Sequence, residues 1–238
     1  AADGASSEFH AAGRAKAAAA AAWVVRRLAR DDRSKLVVFA HHVDVLDALH
    51  GAVEAARDDS PRTTRDDDDD DDDARDAAAA SKETTRWRGG PPGRVDGAAS
   101  GGIREQLLAA FRRDAAARCL LVSVTAGGVG VDLSAAHDAV FVEAVGLDAS
   151  WLRQAEDRLH RRGQTRRVVA TYLLAPPGSW EDAQWPRVHA RLRATSGVAN
   201  GEDNAEAFAV CRTQASDDAS RKSRGSTSPR ASASPTRR

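Results

Sequence analysis

Short apolar runs alternate with helix-patterned segments along most of this chain, and that alternation restricts the fold more than any other feature. Leu36–Ala40, Cys119–Val124, Ala139–Val142 and Val168–Leu174 are short and largely apolar, the pattern of strands buried on both faces. Between them lie helical patterns. Ala11–Arg30 is Ala-rich, with Trp23 and Leu28. Val43, Leu46, Leu49 and Val53 recur at helical spacing, and Ile103, Leu107, Leu108 and Phe111 form a second stripe. Trp151–Arg162 reads as a charged helix, Trp180–Leu192 as a closing one, and Arg94–Gly97 as a strand end with a turn. Strands alternating with helices predict a parallel α/β sheet. No internal repeat is visible.

The net charge of zero hides segregation. Residues 57–76 hold eleven Asp against four Arg, including the unbroken run Asp66–Asp73. Like charges at that density repel and bury little surface, so residues 57–86 read as an acidic disordered insertion whose deletion should leave the rest folded. The simplest reading gives it no chemistry. Residues 219–238 carry six Lys/Arg and no acid, and the whole span 196–238 reads as a disordered Ser/Arg-rich tail able to brush nucleic acid through its charge. Ser228-Pro229 and Ser234-Pro235 are possible phosphorylation sites. That leaves residues 31–195 as the domain, entered by a linker or helix over residues 1–30.

Two cysteines exclude a disulfide framework and a four-cysteine zinc site, and point by default to a reducing compartment. No apolar run reaches the length of about 18–20 residues that crosses a bilayer. The chain has no Met. A translated chain begins with one, so a processed product, an incomplete gene sequence or a fragment is expected.

Two stretches carry chemistry. Thr125-Ala-Gly-Gly-Val-Gly-Val-Asp132-Leu follows the Cys119–Val124 strand, and small residues there let backbone N–H groups approach a phosphate or ribose. It fails the dinucleotide fingerprint, because Leu133 stands at the third glycine position. Such glycine turns are often only structural. The second stretch is Gln154-Ala-Glu-Asp-Arg158-Leu-His-Arg161-Arg-Gly-Gln164. On a helix, Gln154, Arg158 and Arg161 share one face, and two guanidiniums aimed together suit a polyphosphate. Alone, the segment could equally be a solvated helix whose acids neutralise its arginines. His41 and His42 sit at a strand end, pointing apart, with a polar edge role; Trp151, Trp180 and Trp185 read as packing residues.

Taken together, the two stretches resemble motifs V and VI of the C-terminal RecA-like lobe of Snf2-type superfamily 2 DNA-dependent ATPases. Lys35–His42 is similar to motif IV, and Arg94-Val-Asp-Gly97 to the R-I-D-G turn. The resemblance covers residues 11–195. Phe39-Ala-His-His42, Val140-Phe-Val-Glu143, Gln154–Arg158 and Trp185-Pro186 look like the SMARCA-like, HARP-type annealing-helicase subgroup. The resemblance implies a RecA-like parallel sheet flanked by helices and a nuclear protein. It implies ATP-driven translocation on branched or double-stranded DNA, with arginine fingers at Arg161 and Arg158. Gln154, Gly128, Gly130 and Asp132 would meet nucleotide. Thr125, Lys35 and Arg94 would meet DNA phosphates independently of sequence. ATP and Mg would be held mainly by a first RecA-like lobe, the partner of this one.

The sequence departs from that pattern at Arg162, where the family carries Ile, and at Gly146–Ser150, where W-N-P is usual. On a continuous helix Arg162 would fall on the packing face, and an early helix end near Gly163 would turn it outward. No G-K-[ST] loop and no D-E-x-H sequence occurs, so the chain alone is not expected to hydrolyse ATP. Two alternatives stand beside the motor reading: a non-catalytic orphan lobe that binds DNA or protein, and a nucleosome-directed remodeller. No metal-ligand set is expected.

Overall fold

A computed structural model describes residues 2–31, 33–58, 85–127, 130–200 and 208–212. The elements follow the predicted alternation: α1 (Ala2–Arg30), β1 (Leu36–Ala40), α2 (Val43–Ala55), β2 (Gly93–Val95), α3 (Gly101–Arg113), β3 (Cys119–Ser123), α4 (Val124–Gly127), β4 (Asp138–Phe141), α5 (Ala149–Asp157), β5 (Val169–Leu174), α6 (Trp180–Asn200) and β6 (Phe208–Arg212). The strands form one sheet in the order β2-β3-β1-β4-β5-β6, with every pair parallel. This is the parallel α/β sheet flanked by helices that the alternation predicts.

Strand period two divides the core in two. Val37, Phe39, Leu120, Val122, Phe141 and Tyr172 face one side and pack under α3, α5, α6 and Val124, Val131, Leu133 and Ala136. Leu36, Val38, Leu121 and Val140 face the other and pack under α1 and α2. Phe39, Phe141 and Tyr172 stack in a row across the sheet, with centroids 4.8 Å apart at each step. Burying each such ring contributes on the order of 1.5–3 kcal/mol. Helix α1 belongs to this core and is not only an entry: Ala20, Val24 and Leu28 are fully buried beside Leu46 and Leu49 of α2. Cys119, at the start of β3, is buried, which pushes its thiol up to about 12.

One difference from the sequence reading concerns the end of the sheet. Phe208–Arg212 adds a parallel strand beside β5, with Ala170 opposite Phe208 and Leu174 opposite Arg212. The sequence reading placed these five residues within the tail, 196–238. Five residues in polar, low-complexity surroundings give little signal alone, and their stabilisation comes from the open edge of β5. Residues 196–200 continue helix α6, whereas 201–207 and 213–238, including both Ser-Pro pairs, lie outside the described residues, as do residues 59–84 of the acidic insertion.

The base of that insertion is closed. Asp58 N–H donates to Trp87 O at 2.8 Å, Trp87 N–H donates to Ala56 O at 3.2 Å, and the Trp87 indole, 1% exposed, donates to Val53 O at 2.8 Å. Arg57 and Arg86 belong to the same clamp, since the Arg86 guanidinium donates to Arg57 O at 3.3 Å. Residues 59–84 can therefore be removed without opening the lobe, whereas a cut at 57–86 removes part of its closure. Replacing 59–84 by a short Gly-Ser link is expected to leave one cooperative thermal transition within about 4 °C of the parent, the shift produced by about 1 kcal/mol. A broadened or multiphasic transition by calorimetry would show that the insertion supports the core.

Candidate functional site

Helix α5 carries Gln154 of the predicted polyphosphate clamp and leads into the turns that hold Arg158 and Arg161, and the turn before it is built without the W-N-P of the resembling family. Gly146 adopts φ +108°, a conformation that L side chains rarely adopt. Asp148 caps the helix, its carboxylate accepting from Ser150 N–H at 2.8 Å. Leu152, Ala155 and Leu159 anchor the segment in the core. Glu156 is buried beside them, accepting from the Tyr172 hydroxyl at 2.7 Å and from Arg153 at 3.1 Å. Burial raises its carboxyl above the usual range despite these partners.

The helix ends at Asp157, earlier than the predicted Arg162, and this corrects the shared-face reading. Gln154 and Arg158 remain one turn apart, while Arg161 lies in the turn beyond. Tighter bonds close the helix, Arg158 N–H donating to Ala155 O at 3.3 Å and Leu159 N–H to Glu156 O at 2.9 Å. Gly163 has φ +100°, and Gln164 N–H closes a turn onto Arg161 O at 3.0 Å. The Gln164 amide then donates to Ser134 O at 3.0 Å and Ala136 O at 2.8 Å, drawing the chain off the helix axis. Arg162 is exposed in this turn, so the substitution leaves no charge on the packing face.

The same staple joins the two stretches that carry chemistry. Leu133 N–H donates to Arg158 O at 3.1 Å. Asp132 accepts from Ser134 N–H at 3.0 Å. Burial pulls its carboxyl upward, but the Ser134 bonds and the nearby Arg161 and Arg112 charges hold it below the usual range. Among the described residues, the Arg161 guanidinium makes no hydrogen bond or ion pair, so an uncommitted cation sits beside a carboxylate kept ionised. Gln154 is exposed on α5, Gly130 is exposed with open space around it, and Gly128 lies outside the described residues.

The predicted DNA contacts separate into two groups. Thr125 is exposed where β3 ends, with its hydroxyl 2.8 Å from that of Ser123. Arg94 lies on the neighbouring strand β2, held by Asp47 and, at 2.8 Å, by Asp96. Lys35 stands apart from both. It precedes β1, at the edge where the strands begin, about 16 Å of strand rise from the edge where they end. Its ammonium caps the C-terminal end of α3, donating to Phe111 O and, at 2.6 Å, to Asp114 O.

Sequence reasoning missed three contributors. Glu143, fully buried where β4 ends, accepts from His41 N–H at 2.8 Å and His42 N–H at 2.9 Å, and lies 2.6 Å from the His42 ring nitrogen. In the sequence it stood only as the acid that closes the Val140–Glu143 pattern, with no partner indicated. Phe9 left no signal, since it lies outside the predicted helix. Gln164 was visible only as the last residue of a motif. Trp151, read as a packing residue, is 44% exposed on the face of α5 that carries Gln154.

Residues 74–167 match the family described as the helicase conserved C-terminal domain, and the match spans both the glycine stretch and Gln154–Gln164. This chain carries a helicase C-terminal domain. Its relatives include the human DNA annealing helicase and endonuclease ZRANB3, 28% identical over 177 residues, which are 74% of this chain and 13% of that protein. A SWI/SNF-related matrix-associated actin-dependent regulator of chromatin subfamily A-like protein 1 from Xenopus tropicalis is 30% identical over 177 residues, 74% of this chain and 15% of that protein. Its Caenorhabditis elegans homolog is 36% identical over 110 residues, 46% of this chain and 16% of that protein. The helicase C-terminal domain therefore has Snf2-family helicase-like homologues, and the chain spans about a seventh of their length. The crystal structure of the C-terminal part of the Fun30 ATPase domain superposes with a TM-score of 0.49 at 21% identity, covering 73% of this chain and 43% of that one.

Proposed function

We propose that this helicase C-terminal domain is the second motor lobe of an ATP-dependent DNA translocase of the annealing-helicase kind, acting on branched or double-stranded DNA. The observation that carries the reading is the uncommitted Arg161 guanidinium beside Asp132, in a turn fastened to the glycine stretch by Leu133, Arg158 and Gln164. A planar, permanently charged fork fits a triphosphate. Among the described residues no group of three His, Cys, Asp or Glu could hold a metal, and no step of this reading passes through magnesium. ATP, when bound, supplies the phosphoanhydride that is cleaved.

Arg161 is the arginine finger in this reading, stabilising charge on the phosphoryl oxygens. Arg158 serves beside it, and its backbone carbonyl ties motif VI to motif V. Gln154 orients the same phosphates from one turn upstream, and Asp132 keeps Arg161 aimed. Thr125 meets the DNA phosphate track where β3 ends, while Arg94, neutralised by two carboxylates, holds the Asp96 turn next to it. Contacts of this kind bind without regard to sequence and weaken with salt. The human relative is by name a DNA annealing helicase, which supports DNA as the substrate. When this chain is joined to a lobe with a G-K-[ST] phosphate loop, ATP turnover is expected to rise at least about tenfold with forked DNA. Turnover indifferent to DNA would contradict the motor reading.

A further inference from the structure

Helix α1 does more than cover the sheet. Its first half crosses the edge where the strands end and touches the loops that leave β1 and β4. The Phe9 ring, 6% exposed, lies so close to Gly146 that a Cβ there would fall 2.6 Å from the ring. The same ring lies 4.8 Å from that of His42 and 5.5 Å from that of His41. One turn further along α1, Gly13 passes the Glu143 carboxylate with no room for a side chain. His10 stacks on His42 at 4.2 Å and lies 2.9 Å from Asp44. Gly146 belongs to the turn that launches α5, and α5 is a short, well-anchored rod ending at the Arg158–Gln164 segment.

From this we infer that Phe9 is a positioning residue. Seated on Gly146, it fixes the turn that starts α5 and thereby the placement of Arg161, coupling α1 to motif VI. A rigid helix passes a displacement at its first turn to its last, and misplacing a catalytic group by about 1 Å can cost about a hundredfold in rate. The coupling itself is a property of this lobe; only its effect on turnover rests on the motor reading.

Hydrogen exchange on the full chain tests the coupling directly. Phe9→Ala is expected to speed amide exchange over residues 146–162 about tenfold or more, with β1 and β3 unchanged. Val24→Ala, a cavity in the same helix far from Gly146, is expected to leave 146–162 within about twofold of the parent, and so is Phe9→Leu, which keeps an apolar group on the seat. Gly146→Ala disturbs the seat from the other side and reads the same segment if Phe9→Ala does not fold. Exchange over 146–162 that is unchanged, or raised equally by Val24→Ala, would overturn the inference. In the two-lobed protein, Phe9→Ala is expected to lower kcat about tenfold with KM for ATP unchanged. A DNA-stimulated parent whose kcat Phe9→Ala leaves intact would also overturn it. A parent with no stimulated turnover would remove the motor reading and leave the exchange result to decide the coupling.

Discussion

Lys16→Met is expected to destabilise the lobe by about 3–5 kcal/mol, the loss measured when one partner of a buried ion pair is removed. The Lys16 and Glu181 side chains are 2% and 0% exposed. The ammonium donates to the two Glu181 carboxylate oxygens at 2.5 and 2.7 Å and to Leu173 O at 2.8 Å, and Glu181 also accepts from Ala175 N–H at 2.8 Å. One pair thus ties α1, the end of β5 and the first turn of α6. Burial lowers the Lys16 pKa from its ordinary value, opposed by the Glu181 charge, so the amine depends on that partner to stay ionised. Removing the ammonium strands a carboxylate out of reach of water. Urea unfolding checks the value, and the thermal midpoint should fall by about 10 °C or more. The double variant Lys16→Met with Glu181→Leu is expected to recover much of the loss, because two apolar side chains replace the pair without leaving a charge. A single variant losing under about 1 kcal/mol would show that water reaches the pair.

The strands and helices were largely legible because their signal is local. An apolar run of five residues between turn signals reads as a strand buried on both faces, and β1, β3, β4 and β5 lie within one or two residues of their predicted bounds. The lost features depend on distant partners. Strand β6 exists through pairing with β5. The turn beyond Asp157 is held by Gln164 reaching across to Ser134 and Ala136, which no helical pattern contains. Lys35, which the resemblance places on the DNA phosphates, has an ammonium that answers carbonyls at the end of α3, a helix contributed by residues more than sixty positions later. The glycine stretch and motif VI were legible as residue types, and their proximity came only with the fold. Lys16 and Phe9 sit in an Ala-rich segment, and their partners Glu181 and Gly146 are far along the chain.

Arg161 is the residue on which the motor reading stands, and its replacement has the largest effect expected of any substitution in the lobe. Its guanidinium is uncommitted among the described residues, its turn is held by Gln164, and Asp132 lies within reach of its charge. Neutral truncation removes nothing from the core, so stability should hold within about 0.5 kcal/mol, as for surface changes. An arginine finger is worth about 10³–10⁵ in rate in other NTPases. Arg161→Lys should rescue little, since an ammonium lacks the planar fork. The most direct measurement is DNA-stimulated ATP turnover by the two-lobed protein with and without Arg161→Ala, alongside duplex binding. Turnover is expected to fall about a thousandfold or more with duplex affinity nearly unchanged. Unchanged turnover, or a loss of turnover that follows a loss of DNA binding, would contradict the assignment.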